Sequence, residues 1–139
     1  MTAYIDTSVV LRIALGEPQP LREWRSLERA ISSELVRVEC LRTIDRARLL
    51  LPLSDDEVAE RREAVLAILR GFHIARLDDH VLARAADPFP TLIRTLDALH
   101  LATAQLVRSE HADLVFATHD RQLGMAARAI GFEVIGAGR

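Results

Sequence analysis

The sequence predicts an α/β fold in which helices flank a central, largely parallel β-sheet of about five strands. Three observations favour this fold. Short apolar runs typical of buried strands alternate with longer segments of helical periodicity. Cap and stop residues separate these segments. The 139 residues are enough for one core and contain no internal repeat or linker, so residues 1–139 are expected to form a single domain.

Five short segments are the expected strands. Each is an apolar run bounded by turn residues or helix caps, and its alternation with helices favours parallel pairing. Ligands bind outside the carboxyl ends of such strands, so polar residues that follow a strand are candidates for a functional site. The expected strands span residues 3–6, 30–32, 72–77, 114–117 and 132–135.

Seven segments carry helix signals, of which the second is weak. Thr7 or Ser8 can cap the first helix, and Ser33 can cap the third. Ser54 and Glu57 have the spacing of a capping box at the start of the fourth. The expected helices span residues 7–15, 21–28, 34–51, 55–70, 79–87, 96–110 and 121–130.

Two of these helices differ in the sides that they are expected to bury. Helix 34–51 carries one apolar stripe, which should face the core. Helix 96–110 is apolar nearly all round and should be buried on several sides. The stripe of helix 34–51 consists of Leu35, Val38, Leu41, Ile44 and Leu49.

The composition excludes several classes of function. All 18 basic residues are Arg, and the absence of Lys excludes the usual phosphate-binding loop and Schiff-base catalysis. Cys40 is the only cysteine, which excludes an intramolecular disulfide and a zinc cluster of thiolates. The net charge of −2 provides no global basic field. No membrane span or signal peptide is expected, and a cytoplasmic location is the default expectation.

Four carboxylates stand where a lone charge is costly to bury. Asp6 and Asp120 each follow an apolar strand, so both should lie at the carboxyl end of the sheet. Glu39 lies inside the long helix, and Asp97 opens the helix that is apolar nearly all round. If these side chains converge, their hard oxygens suit Mg²⁺ or Mn²⁺, which points to metal-assisted phosphodiester chemistry.

Each acid also has a purely structural interpretation. Asp6 and Asp120 could be helix caps, and Asp97 could interact with the helix dipole from the first turn. Glu34 competes with Glu39 as the acid of the long helix. Glu34 lies in the first turn, where surface acids are common, so we favour Glu39.

Neighbouring polar residues could support the acids. Ser8 and Thr118 could orient a carboxylate, or they could be turn residues. His100 shares a helix face with Asp97, and a packed, hydrogen-bonded histidine is favoured over a ligand or a base. His119 lies in a predicted turn and is expected to be exposed.

The four acids lie in segments that resemble the motifs of a known family. The segments are YIDTSVV at residues 4–10, SELVRVECLR at 33–42, LDALHLATA at 96–104 and ATHDRQL at 117–123. They are similar to the four motifs of the PIN-domain ribonucleases, and in particular to those of the VapC-type toxins of bacterial toxin–antitoxin pairs. The resemblance covers essentially the whole chain. Residues 52–95 carry no matching motif, so the RNA that is cleaved is left open.

The resemblance implies a PIN-like three-layer fold and a Mg²⁺- or Mn²⁺-dependent endoribonuclease that acts on RNA. Asp6 and Asp97 would be the main metal ligands, and Glu39 and Asp120 would complete the catalytic site directly or through water. Whether one or two metals bind is left open. The resemblance also implies a homodimer and a cognate antitoxin that keeps the enzyme silent. Such a partner should present an Arg or Lys to Asp6 and Asp97 and cover apolar surface on the early helices.

Other interpretations remain beside this one. The chain could be a non-toxin housekeeping nuclease with a PIN fold, or an inactive PIN-fold binding module. The presence of all four acids argues against the inactive module. A haloacid-dehalogenase-type phosphatase is strongly disfavoured, because it needs a second acid at the position of Ser8 and a Lys, and the chain has neither.

Overall fold

The computed structural model describes residues 1–138 and confirms the predicted α/β architecture. Five parallel strands form one sheet, and helices cover both of its faces. The strands are β1 (Thr2–Ile5), β2 (Arg29–Ser33), β3 (His73–Ala75), β4 (Val115–Ala117) and β5 (Val134–Ile135). The helices are α1 (Thr7–Ala14), α2 (Leu35–Leu50), α3 (Asp55–Leu69), α4 (Asp79–Ala86), α5 (Thr95–Arg108) and α6 (Arg121–Ala129). A 3-10 helix, Arg22–Ser26, replaces the weak helix expected at residues 21–28.

The strand order is β3-β2-β1-β4-β5, and every neighbouring pair is parallel. The chain runs outward from β1 through β2 to β3 and then returns to the other side of β1 for β4 and β5. The direction of winding therefore reverses between β1 and β4, where parallel sheets bind ligands beyond their carboxyl ends. Asp6 follows β1 and Thr118 follows β4, so both lie at this crevice.

Alternate residues of the central strands pack on opposite faces of the sheet, as the pleat requires. Ala3 and Ile5 belong to the core that contains residues of α1, α2 and α3. Tyr4 belongs to the second core, with residues of α5 and α6. Phe116 of β4 stacks on Tyr4, with 5.3 Å between the ring centroids. The pleat thus points the Tyr4 ring to the face that α5 covers.

The caps explain where two helices begin. The capping box of Ser54 and Glu57 at the start of α3 is present, as predicted. The cap expected for α1 is wrong, because the side chain of Asp6 caps this helix, and not that of Thr7 or Ser8. Asp6 has the extended backbone of an N-cap residue, and its carboxylate accepts the free N–H groups of the first turn.

Helix α2 buries only part of the expected stripe, because Ile44 is buried and Leu41 packs against the core, but other members are exposed. Its buried residues are Val36, Cys40 and Ile44, which are four positions apart. The expected stripe is wrong for Val38 and Leu49, which are 59% and 79% exposed. Apolar residues lie on more than one side of α2, and contact with α1 and α3 selects the side that is buried.

Helix α5 is enclosed on fewer sides than expected. Leu96 and Leu106 are 47% and 38% exposed, although both lie in a strongly apolar sequence. The buried side chains of α5 are those of Ala98, His100, Leu101, Ala102, Thr103 and Ala104. Among residues 1–138, no helix combines the length and the apolar character needed to cross a membrane.

Candidate active site

Asp6 is buried at the crevice between β1 and β4, and both of its carboxylate oxygens are hydrogen-bonded. The oxygen Oδ1 accepts from the Ser8 hydroxyl at 2.5 Å and from the backbone N–H groups of Ser8 and Val9 at 3.0 and 3.4 Å. The oxygen Oδ2 accepts from the Thr118 hydroxyl at 2.7 Å. Burial raises the pKa of Asp6, and these donors and His100 offset part of that rise.

The hydroxyls of Ser8 and Thr118 orient the carboxylate of Asp6, which is the first of the two roles considered for them from the sequence. Each hydroxyl donates its proton to Asp6 and accepts a backbone N–H with its own oxygen. Ser8 accepts from His119 at 2.9 Å, and Thr118 accepts from Asp120 at 2.9 Å. The two hydroxyls therefore connect the end of β1 to the loop between β4 and α6.

Glu39 lies beside this network and is held by a buried histidine. His100 Nε2 is 2.5 Å from Glu39 Oε1, and His100 Nδ1 is 2.7 Å from the Tyr4 hydroxyl. The Thr7 hydroxyl also donates to Glu39 Oε1, at 3.0 Å. The prediction of a packed, hydrogen-bonded His100 is confirmed, since its side chain is 3% exposed.

Glu34 points elsewhere. Its side chain is exposed and accepts the backbone N–H of Leu77 at 2.9 Å, which ties the start of α2 to the loop after β3. Glu34 precedes α2 and Glu39 lies within it. Of these two acids, only Glu39 contacts the buried residues of the candidate site.

Asp97 lies in the first turn of α5 and is half-buried. Burial is the main cause that raises its pKa, and the nearby charges of Asp120 and Glu39 raise it further, against an opposing effect of His100. Asp120 is exposed and caps α6, with its Oδ1 accepting the Leu123 N–H at 3.0 Å. Asp120 thus caps a helix, as one interpretation predicted, and its charge also acts on Asp97.

The donor set fits a hydrated hard cation. Among residues 1–138, no three His, Cys, Asp or Glu side chains converge closely enough to hold an ion between them, so the closed cage expected from the sequence is not formed. Mg²⁺ keeps several waters and binds through one or two carboxylates, which needs no such cage. The half-buried Asp97 and the buried Asp6 offer hard oxygens of this kind.

Three contributors to the site differ from expectation or were missed. Tyr4 and Thr7 were not predicted to contribute to the site. For Tyr4 the sequence contained a signal, because the hydroxyl of a buried Tyr needs a hydrogen-bond partner. The prediction that His119 is exposed is wrong. Its side chain is partly buried, and its Nδ1 lies 3.3 Å from the Gly136 carbonyl oxygen. Burial, followed by the positive charge of Arg12, lowers the pKa of His119.

Known proteins match this chain over almost its whole length. The PIN domain family matches residues 3–129. Ribonuclease VapC46 of Mycobacterium tuberculosis is 34% identical over 135 residues, which cover 95% of this chain and 95% of that protein. All four candidate acids lie within the matched residues.

Solved structures show the same fold at low sequence identity. FitAB bound to an IR36 DNA fragment superposes with a TM-score of 0.67 and 21% identity, over 95% of this chain and 92% of that one. VapBC-5 of Mycobacterium tuberculosis, a member of the VapBC family of toxin–antitoxin systems, superposes with a TM-score of 0.62 and 20% identity, over 96% and 97%.

Proposed function

The chain belongs to the PIN domain family, and on this premise we propose that it is an endoribonuclease toxin that a cognate antitoxin neutralises. One observation carries the proposal: the buried, fully hydrogen-bonded Asp6 lies where the winding of the sheet reverses. The ribonuclease VapC46 supports RNA as the substrate, and VapBC-5 supports an antitoxin as the partner.

Asp6 and Asp97 are the proposed metal ligands, and Glu39 and Asp120 complete the site directly or through water. A bound Mg²⁺ or Mn²⁺ would supply Lewis acidity at the phosphate and would lower the pKa of a water. The residues of the chain prepare the site for this chemistry. Ser8 and Thr118 hold the Asp6 carboxylate, and the charges of Glu39 and Asp120 beside Asp97 favour a cation over an empty pocket.

The proposed antitoxin covers apolar surface on the early helices and presents an Arg or Lys to Asp6 and Asp97. Exposed apolar residues at the end of α2 support this idea. Leu49, Leu50 and Leu51 are 79%, 77% and 51% exposed, and contiguous exposed apolar surface is typical of sites where proteins bind one another. A homodimer bound to the antitoxin, in the cytoplasm, completes the proposal.

Cleavage of RNA by the purified chain tests the enzymatic part. We expect cleavage that needs Mg²⁺ or Mn²⁺, stops with EDTA, and returns when the divalent ion is restored. Asp6→Asn and Asp97→Asn should lose cleavage, and Glu34→Gln is the matched control outside the candidate site. Full cleavage in EDTA would contradict the metal mechanism. A folded wild-type protein that neither binds Mn²⁺ nor cleaves RNA would favour the inactive binding module.

A further inference from the structure

A buried histidine connects two elements of the candidate site and has no role in the proposed chemistry so far. His100 is 2% exposed and Tyr4 is fully buried, at the contact between α5 and the centre of the sheet. The Tyr4 ring packs edge-on against His100, with 5.9 Å between the ring centroids, and stacks on Phe116 from the other side. These contacts allow the imidazole one orientation.

The hydrogen bonds fix which nitrogen of His100 carries the proton. The Tyr4 hydroxyl carries a proton that it can donate, whereas the Glu39 carboxylate can only accept one. His100 Nδ1 accepts that proton at 2.7 Å, which leaves the ring N–H on Nε2. This N–H points at Glu39 Oε1, 2.5 Å away, and makes a short, charge-assisted hydrogen bond.

Both nitrogens of His100 are therefore occupied, and neither can reach a substrate or a metal. The same bonds leave Glu39 asymmetric. Its Oε1 accepts from His100 and from Thr7, whereas no hydrogen bond among residues 1–138 engages its Oε2. The Glu39 side chain is 21% exposed, so it is not closed off from solvent.

We propose that His100, held by Tyr4, is a positioning residue that fixes Oε1 of Glu39 and turns Oε2 toward the cation. The inference rests on the proposed function, since it assigns Glu39 a part in binding the divalent ion. A positioning partner of this kind orients a ligand without touching the ion, and its loss typically weakens metal binding or activity about 10- to 100-fold.

Mn²⁺ binding, measured by calorimetry without RNA, tests the inference apart from catalysis. We expect His100→Gln and Tyr4→Phe to weaken Mn²⁺ binding, by about 10- to 100-fold for His100→Gln and by less for Tyr4→Phe. Tyr4→Phe keeps the buried ring and removes only the hydroxyl, so it decides the question if His100→Gln fails to fold. His111→Gln, in the loop after the C-terminal end of α5, is the matched histidine control and should bind Mn²⁺ like the wild type.

A double-mutant cycle separates positioning from general support of the fold. If His100 acts through Glu39, His100→Gln should weaken Mn²⁺ binding far less in a Glu39→Gln background than in the wild type. Equal losses in both backgrounds would overturn the inference, as would variants of Tyr4 and His100 that bind Mn²⁺ normally. In both cases cleavage by the wild type would leave the proposed function intact. A wild type that binds no Mn²⁺ would overturn both.

Discussion

At the residue scale, the two oxygens of Asp6 have different partners. Oδ1 caps α1, and Oδ2 accepts from Thr118 across the crevice. The sequence presented the cap and the active-site residue as alternatives, and the structure shows that the cap leaves Oδ2 for a second contact. An aspartate that follows a strand and precedes a helix can do both, because its two oxygens point in different directions.

The double role of Asp6 predicts different results for two substitutions. Asp6→Asn keeps an oxygen for the cap and removes a buried charge, so the metal-free protein should be as stable as the wild type or more stable. Asp6→Ala also loses the cap, which should cost about 1 kcal/mol of unfolding free energy. Both should lose RNA cleavage. Urea denaturation in EDTA checks the ranking, and equal destabilisation by Asn and Ala would count against it.

The two glutamates at the start of α2 provide a second comparison. Glu39→Gln should lower RNA cleavage by about 100-fold, because it removes a charge that is hydrogen-bonded to His100 at the site. Glu34→Gln should change cleavage little, since glutamine can still accept the Leu77 N–H. Cleavage rates of the two folded variants are the measurement. The reverse ranking would show that the second motif is assigned to the wrong acid.

The raised pKa of Asp97 predicts how stability depends on pH without metal. Between the ordinary carboxyl value of 3.8 and the raised value, the folded protein binds more protons than the unfolded chain. The unfolding free energy contributed by Asp97 therefore falls as the pH rises through this window. Urea denaturation of EDTA-treated protein should show a smaller fall for Asp97→Asn than for the wild type. An identical pH dependence would contradict the assignment.

At the scale of the elements, local sequence signals predicted where a helix begins better than they predicted which face of a helix is buried. The capping box of Ser54 and Glu57 is a local pattern and is present. The prediction of the buried face of α2 was wrong at Val38 and Leu49, because α1 and α3 determine which side of that helix is covered. A single helix sequence with apolar residues on several sides does not contain this information.

Cys40 gives a direct measure of whether α2 stays in place. The thiol is fully buried on the inner face of α2, and burial, with the charges of Glu39 and Asp6, raises its pKa to about 12. Native protein should therefore resist iodoacetamide, whereas the unfolded chain should react as an ordinary thiol does. Mass spectrometry after timed alkylation is the measurement. Rapid modification under native conditions would show that α2 opens readily.

At the scale of the whole molecule, the sequence predicted the parallel sheet and the edge on which the acids lie. It did not predict the strand order, nor the contact of His100 with Glu39, which are 61 residues apart. That contact depends on α5 crossing the sheet beside β1 and β2, which is a property of the packed fold. The acids could be proposed from the sequence because each has a local signal, and Tyr4 and Thr7 were missed because their partners are distant.

Control of the proposed nuclease is also a property of the whole molecule. Expression of the chain alone should arrest growth, and co-expression of a neighbouring antitoxin should restore it. The bound antitoxin should also raise the melting temperature, because it binds only the folded state. Growth curves and thermal melts of the complex are the measurements. Harmless expression of a chain that still cuts RNA when purified would favour a housekeeping nuclease.

The position of β1 in the middle of the sheet has a consequence for translation. The ribosome makes Asp6 early, but the Thr118 hydroxyl that holds it lies 112 residues further along the chain. Until β4 emerges, one edge of β1 has no partner strand, and the pocket lacks both Thr118 and Asp120. A nascent chain therefore carries no assembled site during most of its synthesis. We therefore expect the proposed nuclease to gain its complete candidate site only when its synthesis is nearly finished.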